Sequence, residues 1–150
     1  MMTFDMGEHS AEFPADYRYA KNHMWATPQS DQVWRFGLTE YAVRLLQDVY
    51  FLDWVVNCGD VLSLRMMIGS IESKKAESDL FSPLEGQMHS INDEVLSEPS
   101  LINAEPYKAG WLFEIESTNA DGLMSIHDYL THLESAWDVA QKTIKGQANT

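Results

Sequence analysis

Ile71-Glu72-Ser73-Lys74-Lys75-Ala76, followed shortly by Ser78-Asp79-Leu80-Phe81, is the stretch on which the fold turns. The first half closes a β pattern over Leu62–Ser73 and the second opens another over Ser78–Phe81, which puts Lys74 and Lys75 at the tip of a tight hairpin. Gly59 stands 16 residues before Lys75 and Gly86 stands 11 after it. Asp60 beside the first glycine and Pro83 before the second punctuate the two sides. A lysine pair in a turn is ordinarily just a pair of solvated charges, so its framing has to carry any further meaning.

Outward from the hairpin the chain continues to read as short strands. Trp34-Arg35-Phe36-Gly37-Leu38 alternates with period two, and Pro28-Gln29-Ser30-Asp31 before it has turn chemistry, so His23–Leu38 reads as a hairpin. Thr39–Leu46 fits one short helix with Thr39 as its N-cap. Val49–Val56 is dense in β-branched and aromatic residues, as a strand requires, and Gly86–Ile91 and Gly110–Ser117 add two more. The expected fold is mainly β, an antiparallel sandwich or flattened barrel with a short internal helix over residues 17–118. From 119 to 146 the period changes. Leu123, Ile126, Leu130, Leu133, Trp137, Ala140 and Ile144 form a helical stripe that packs on the same domain, as one helix or two. Asn119 or Asp121 is its expected cap, Lys142 and Lys145 suit its end, and Gly146 is its expected stop. Residues 1–16 read as an acidic, aperiodic tail.

The chain has 150 residues and a formal net charge of -13, from 10 basic and 23 acidic side chains. That charge repels nucleic acid and anionic membranes, which leaves solubility and the steering of basic protein partners as its uses. The N-terminal stretch lacks the basic and apolar regions of a signal peptide, and no apolar run reaches membrane-spanning length. A cytoplasmic protein is expected. The single cysteine, Cys58, excludes an internal disulfide and is expected to be a buried small hydrophobe. His127 and His132 are five residues apart, off a common helix face, so no metal site is expected. No phosphate loop and no nucleophile triad is present.

The tip hairpin and its glycines resemble lipoyl and biotinyl carrier domains, in which the modified lysine tops a hairpin between two quasi-symmetric halves. Glu72-Ser73-x-Lys75-Ala76 is the lipoyl form, since the Met-Lys-Met setting of biotinyl domains is absent. Gly37-Leu38-Thr39-Glu40-Tyr41-Ala42, Ser78-Asp79-Leu80-Phe81-Ser82-Pro83, and above all Pro99-Ser100-Leu101-Ile102-Asn103 with Pro106-Tyr107 and Gly110-Trp111-Leu112, are similar to glycine-cleavage H proteins. The lipoyl domains of 2-oxoacid dehydrogenases lack that last element. The resemblance implies a lipoyl-carrier hybrid barrel with lipoate amide-linked to Lys75. It also implies Glu72, Ser73, Ala76, Gly59 and Gly86 as hairpin and ligase-recognition residues. The chain would then be no enzyme but a swinging-arm carrier of an aminomethyl group and reducing equivalents. Its implied partners are a lipoate ligase or lipoyl transferase, the glycine-cleavage enzymes and dihydrolipoyl dehydrogenase. The rivals are a scaffold that is never modified, and attachment at Lys74.

The family's arm cleft maps onto His23, Met24 and Leu45, and here the pattern is broken. Met24 replaces the glutamate of the family's His-Glu-Trp segment, Leu45 replaces a histidine, and Phe51-Leu52-Asp53-Trp54 replaces a Glu-Leu-Pro turn. A carboxylate holds an ammonium by a charge-assisted hydrogen bond, and a thioether does not. A less polar cleft also suits an H-like lipoate-binding protein that carries sulfur intermediates for a heterodisulfide-reductase-like complex, which is the alternative function the sequence leaves open.

Overall fold

The structure is a computed structural model that describes residues 1–148, with side chains described through residue 142. Among the described residues there are eleven strands, arranged as three antiparallel sheets, and four helices. The largest has six strands in the order β3 (Arg18–Tyr19), β4 (Met24–Ser30), β5 (Val33–Leu38), β11 (Phe113–Glu116), β10 (Gly86–Ile91) and β7 (Val61–Leu62). The second is β6 (Val49–Trp54), β8 (Met67–Ser73) and β9 (Glu77–Phe81). Neither closes on itself, so the fold is a flattened sandwich. The two sheets bury one core, with Phe36 and Phe113 from the first and Ile68 and Ile71 from the second all inaccessible to solvent. The Phe36 and Phe113 rings stack at 5.4 Å.

Thr39 caps α1 (Glu40–Leu46) as expected, its Oγ1 accepting from the Ala42 amide. Several boundaries move. The expected Leu62–Ser73 strand is two strands, because the chain turns at Arg65 (φ 68°), so that β7 joins the first sheet and β8 the second. The His23–Leu38 hairpin turns at Asp31–Gln32 rather than at Pro28, which lies inside β4 where the register shifts between Pro28 and Ser30. Only Phe113–Glu116 of Gly110–Ser117 is strand, since the Gly110 amide is bonded back to the Glu105 carbonyl in the loop after α3 (Leu101–Ala104). Ahead of that loop, Asn92 caps α2 (Asp93–Ser97). Cys58 is exposed, not buried, because it follows the end of β6 in a turn that closes on Gly59 and Asp60.

The terminal segments need the largest correction. Residues 1–16 are not a tail. Met2–Met6 (β1) and His9–Phe13 (β2) pair as an antiparallel hairpin through a turn at Gly7 (φ 65°). Met2, Phe4 and Met6 alternate on one strand and Ala11 and Phe13 on the other, a period-two pattern too short to stand out from its acidic surroundings. Their packing partner is the C-terminal segment, which is one helix, α4 (Ile126–Ala148). Its cap is Ser125, whose Oγ accepts from the Asp128 amide, rather than Asn119 or Asp121. It runs on through Gly146, and the side chains of Ile144 and Lys145 lie outside the described residues. Ile126, Tyr129 and Leu133 of α4 join Met6, Ala11, Phe13, Tyr19, Trp25 and Tyr41 in a second, largely aromatic core. No helix among the described residues is long and apolar enough to cross a membrane.

Phe36 ties the two sheets together and is fully buried. Phe36→Ala is expected to destabilise the chain by about 3–5 kcal/mol, seen as a lowered urea midpoint with an unchanged slope.

Candidate functional site

The turn that joins β8 to β9 is built around one hydroxyl. Ser73 Oγ accepts from the amides of Lys75 (3.3 Å) and Ala76 (3.1 Å) and donates to the Ala76 carbonyl (3.0 Å). The Ser73 amide bonds the same carbonyl at 2.8 Å. Ser73 is buried, while Lys74 and Lys75 between the two strands are exposed. A second anchor comes from below, where the Lys74 amide donates to the Asp48 carbonyl at 2.8 Å. The lysine pair therefore projects from a fixed backbone.

The two lysines differ in what lies near them. Lys74 borders a polar recess it shares with His9, Glu40, Asp48 and Asn103. Lys75 makes no ion pair among the described residues. Beside them Glu72 and Glu77 stand directly opposite each other in the β8–β9 register, with Phe51 of β6 next in the row. Like charges facing across strands repel, so this end of the sheet is an acidic frame, and neither glutamate has an ion-pair partner among the described residues.

Of the residues expected at the site, the structure brings Glu72, Ser73, Lys75 and Ala76 together at the tip. Gly59 and Gly86 are not there. They lie by the β7–β10 edge of the other sheet, where the Gly59 amide bonds the Met88 carbonyl and Gly86 pairs with Leu62. Gly86 has a steric reason to be glycine: at φ 155° a Cβ would sit 2.2 Å from the Glu116 carbonyl oxygen.

His23, Met24 and Leu45 do share one cleft, of about 190 Å³. Its walls are β4, with Leu38 of β5 beside it, then α1 with Ala42, Leu45 and Leu46, and β9 from Ser78 to Phe81. Because β9 leaves the tip directly, the cleft begins a few residues from Lys75. Most of the lining is apolar. Met24 is almost fully buried and supplies no charge. Three polar cleft residues are additional to those expected from the sequence: Ser78 and Asp79, and Asn22 on the shoulder of His23. Asn22 Nδ2 donates to the Phe81 carbonyl at 2.9 Å, and its buried Oδ1 has no partner among the described residues. Asp79 was visible inside a matched motif, whereas nothing in the sequence marks Asn22. Among the described residues no three His, Cys, Asp or Glu side chains form a metal-binding group.

His23 has left-handed backbone (φ 67°), and its Nδ1 shares a hydrogen bond with the Tyr129 hydroxyl at 2.9 Å. Burial, with a smaller contribution from His132, pushes its imidazole down to about 4. The His132 ring stacks over it at 5.5 Å, and its Nε2 lies 3.1 Å from the Lys21 carbonyl. A histidine neutral in the fold but protonated in the unfolded chain lowers stability as pH falls from its ordinary value of about 6.5 toward its native value. An NMR titration of the imidazole protons is expected to place the His23 midpoint near pH 4. The pH dependence of unfolding is expected to flatten between about 4 and 6.5 in His23→Gln.

The sequence model of the Glycine cleavage H-protein family matches residues 17–136. The glycine cleavage system H protein of Methylacidiphilum infernorum is 35% identical over 83% of this chain and 96% of its own length. The probable glycine cleavage system H protein of Natronomonas pharaonis is 38% identical over 80% of this chain and 95% of its own. Among solved structures, a glycine cleavage system H protein from Mycobacterium marinum superposes with a TM-score of 0.73 at 30% identity, over 81% of this chain and 99% of that one. On sequence and on fold alike, the chain belongs to the glycine cleavage H-protein family.

Proposed function

We propose that the protein works as the lipoyl carrier of a glycine-cleavage system, with lipoate amide-linked to Lys75 Nζ. One observation carries this reading: an exposed lysine stands on a locked turn, and one strand of that hairpin forms the wall of an apolar cleft. The residues present fit the group. The amine to be acylated is exposed, the backbone beneath it is fixed by Ser73, and the nearby cleft accepts an aliphatic chain. When bound, the group supplies two sulfurs that accept electrons and hold a one-carbon amine.

The chain's own residues position and shelter. Ser73 fixes the pose in which a lipoate ligase or lipoyl transferase meets Lys75. The carboxylates of Glu72 and Glu77 favour partner surfaces rich in Lys and Arg, and the charge of -13 draws such partners from a distance. The glycine-cleavage enzymes and dihydrolipoyl dehydrogenase fill that role. In the cleft Asp79 is the carboxylate proposed to receive an ammonium, with Met24 where a carboxylate is usual. The sulfur-carrying alternative draws no support from the relatives reported above, whose names are all those of glycine-cleavage proteins. In this reading the chain is no enzyme but a cofactor-bearing component of a multienzyme system in the cytoplasm.

Intact-mass measurement after co-expression with a lipoate ligase tests the attachment. The wild type and Lys74→Ala are expected to gain one lipoyl increment and Lys75→Ala none; modification that survives Lys75→Ala overturns the assignment. For the cargo, Asp79→Asn is expected to weaken retention of an ammonium-bearing group by about 1.5–3 kcal/mol, the worth of one charged hydrogen bond. Release from the loaded arm then speeds up by an order of magnitude or more, measured by quenched-flow sampling.

A further inference from the structure

The family match begins at residue 17, and 99% of the M. marinum chain is covered by 81% of this one. The β1–β2 hairpin thus precedes the matched region, yet it packs on the element that walls the arm cleft. Three contacts join it to the start of α1. The Glu12 amide donates to Glu40 Oε2 at 3.1 Å. The Tyr107 hydroxyl accepts from the Glu40 amide at 2.9 Å and donates to the Glu12 carbonyl. The Phe4 ring meets the buried Tyr41 ring edge-on at 6.2 Å, and Trp137 of α4 closes on Tyr41 from 6.4 Å.

With seven residues α1 is too short to hold itself in water, so its place is set by what packs on it. Tyr41 faces the terminal aromatic core, while Ala42 and Leu46 face the cleft. Leu45 does both: it packs against that core and lines the cleft. Any loosening of the hairpin is therefore felt at the cleft through Leu45, and through His23, whose ring lies 4.8 Å from that of Tyr41.

We infer that the N-terminal β-hairpin is a positioning element for the lipoyl arm, one that holds α1 against the cleft and so sets how well the docked arm is shielded. Phe4 and Glu12 are its positioning residues and act through Tyr41, Glu40 and Leu45. The role in shielding rests on the proposed function above, whereas the hold on α1 does not.

The test compares the full chain with a variant lacking residues 1–13 and, as a milder change that keeps the hairpin, with Phe4→Ala. In the unlipoylated proteins, amide exchange at Val43 and Gln47, whose N–H groups bond Thr39 and Val43 inside α1, is expected to quicken by about tenfold. Exchange at Leu112, bonded to Phe36 in the central sheet, should stay within about twofold. Unchanged exchange in α1 in both variants, or equal quickening in α1 and the sheet, overturns the inference. In the lipoylated, reduced proteins the rate of alkylation by iodoacetamide is the second readout. A wild-type arm slower than free dihydrolipoamide, with several-fold faster reaction in either variant, supports it. A protected wild-type arm whose rate neither variant changes overturns it. A wild-type arm as reactive as free dihydrolipoamide overturns the cleft reading and with it the shielding role, while the exchange data still decide the hold on α1.

Discussion

The hydroxyl of Tyr129 lies 3.0 Å from Thr39 Oγ1 and 2.9 Å from His23 Nδ1. Through that one buried oxygen α4, the cap of α1 and the entrance to β4 are tied together. Thr39 contributes twice, since the same hydroxyl caps α1. His23 contributes twice as well, because its carbonyl accepts from the Thr39 amide at 3.0 Å while the residue also borders the cleft. A hydrogen-bonded network in a low-dielectric setting is costly to leave half made, so the three elements keep their places together or not at all. Burial raises the Tyr129 phenol far above its ordinary value and lowers the His23 imidazole, so both stay neutral at physiological pH and no charge disturbs the aromatic packing around them.

That packing is a second core, distinct from the one between the sheets. The first is aliphatic with a few phenyl rings and gives the sandwich its shape. The second is built from Phe13, Tyr19, Trp25, Tyr41 and Tyr129, with the Tyr19 and Tyr129 rings stacked at 4.7 Å. Two of its polar atoms find partners in the loops: Tyr19 donates to the Pro14 carbonyl and Trp25 to the Pro106 carbonyl. The Pro106-Tyr107 stretch that gave the sequence its family resemblance is thus a set of hydrogen-bond partners for the aromatic core. Trp111 packs against the same core, and its ring receives the Arg35 guanidinium at 4.1 Å.

The sequence was legible where a local signal had a local cause. Thr39 as cap, the strand pairs around Lys75 and the gathering of His23, Met24 and Leu45 into one cleft all follow from short-range chemistry or from motif register. It misled where partners were distant. The alternation of Met2, Phe4 and Met6 becomes meaningful only when α4 and α1 supply the other half of the core. Cys58 and Gly146 were read by residue type, and in each case the surrounding backbone decided otherwise. Tyr129 falls outside the aliphatic stripe that marks α4 in the sequence, although it is as fully buried as Leu133 of that stripe. Asn22 has no motif at all; its place at the cleft comes from the Phe81 carbonyl across the gap.

On the attachment proposed above, Ser73 also sets the terms on which a group hung from Lys75 would be shared. With the turn locked by its hydroxyl, the anchor point does not wander, and whatever Lys75 bears explores only the small volume its own length allows. Tethers of this kind produce local concentrations on the order of millimolar. A cleft whose intrinsic affinity is only about 4 kcal/mol then holds the group about half the time. Such a weak grip is an advantage in a courier. A visiting protein that offers even one more favourable contact can take the load, and the cleft takes it back once that protein leaves.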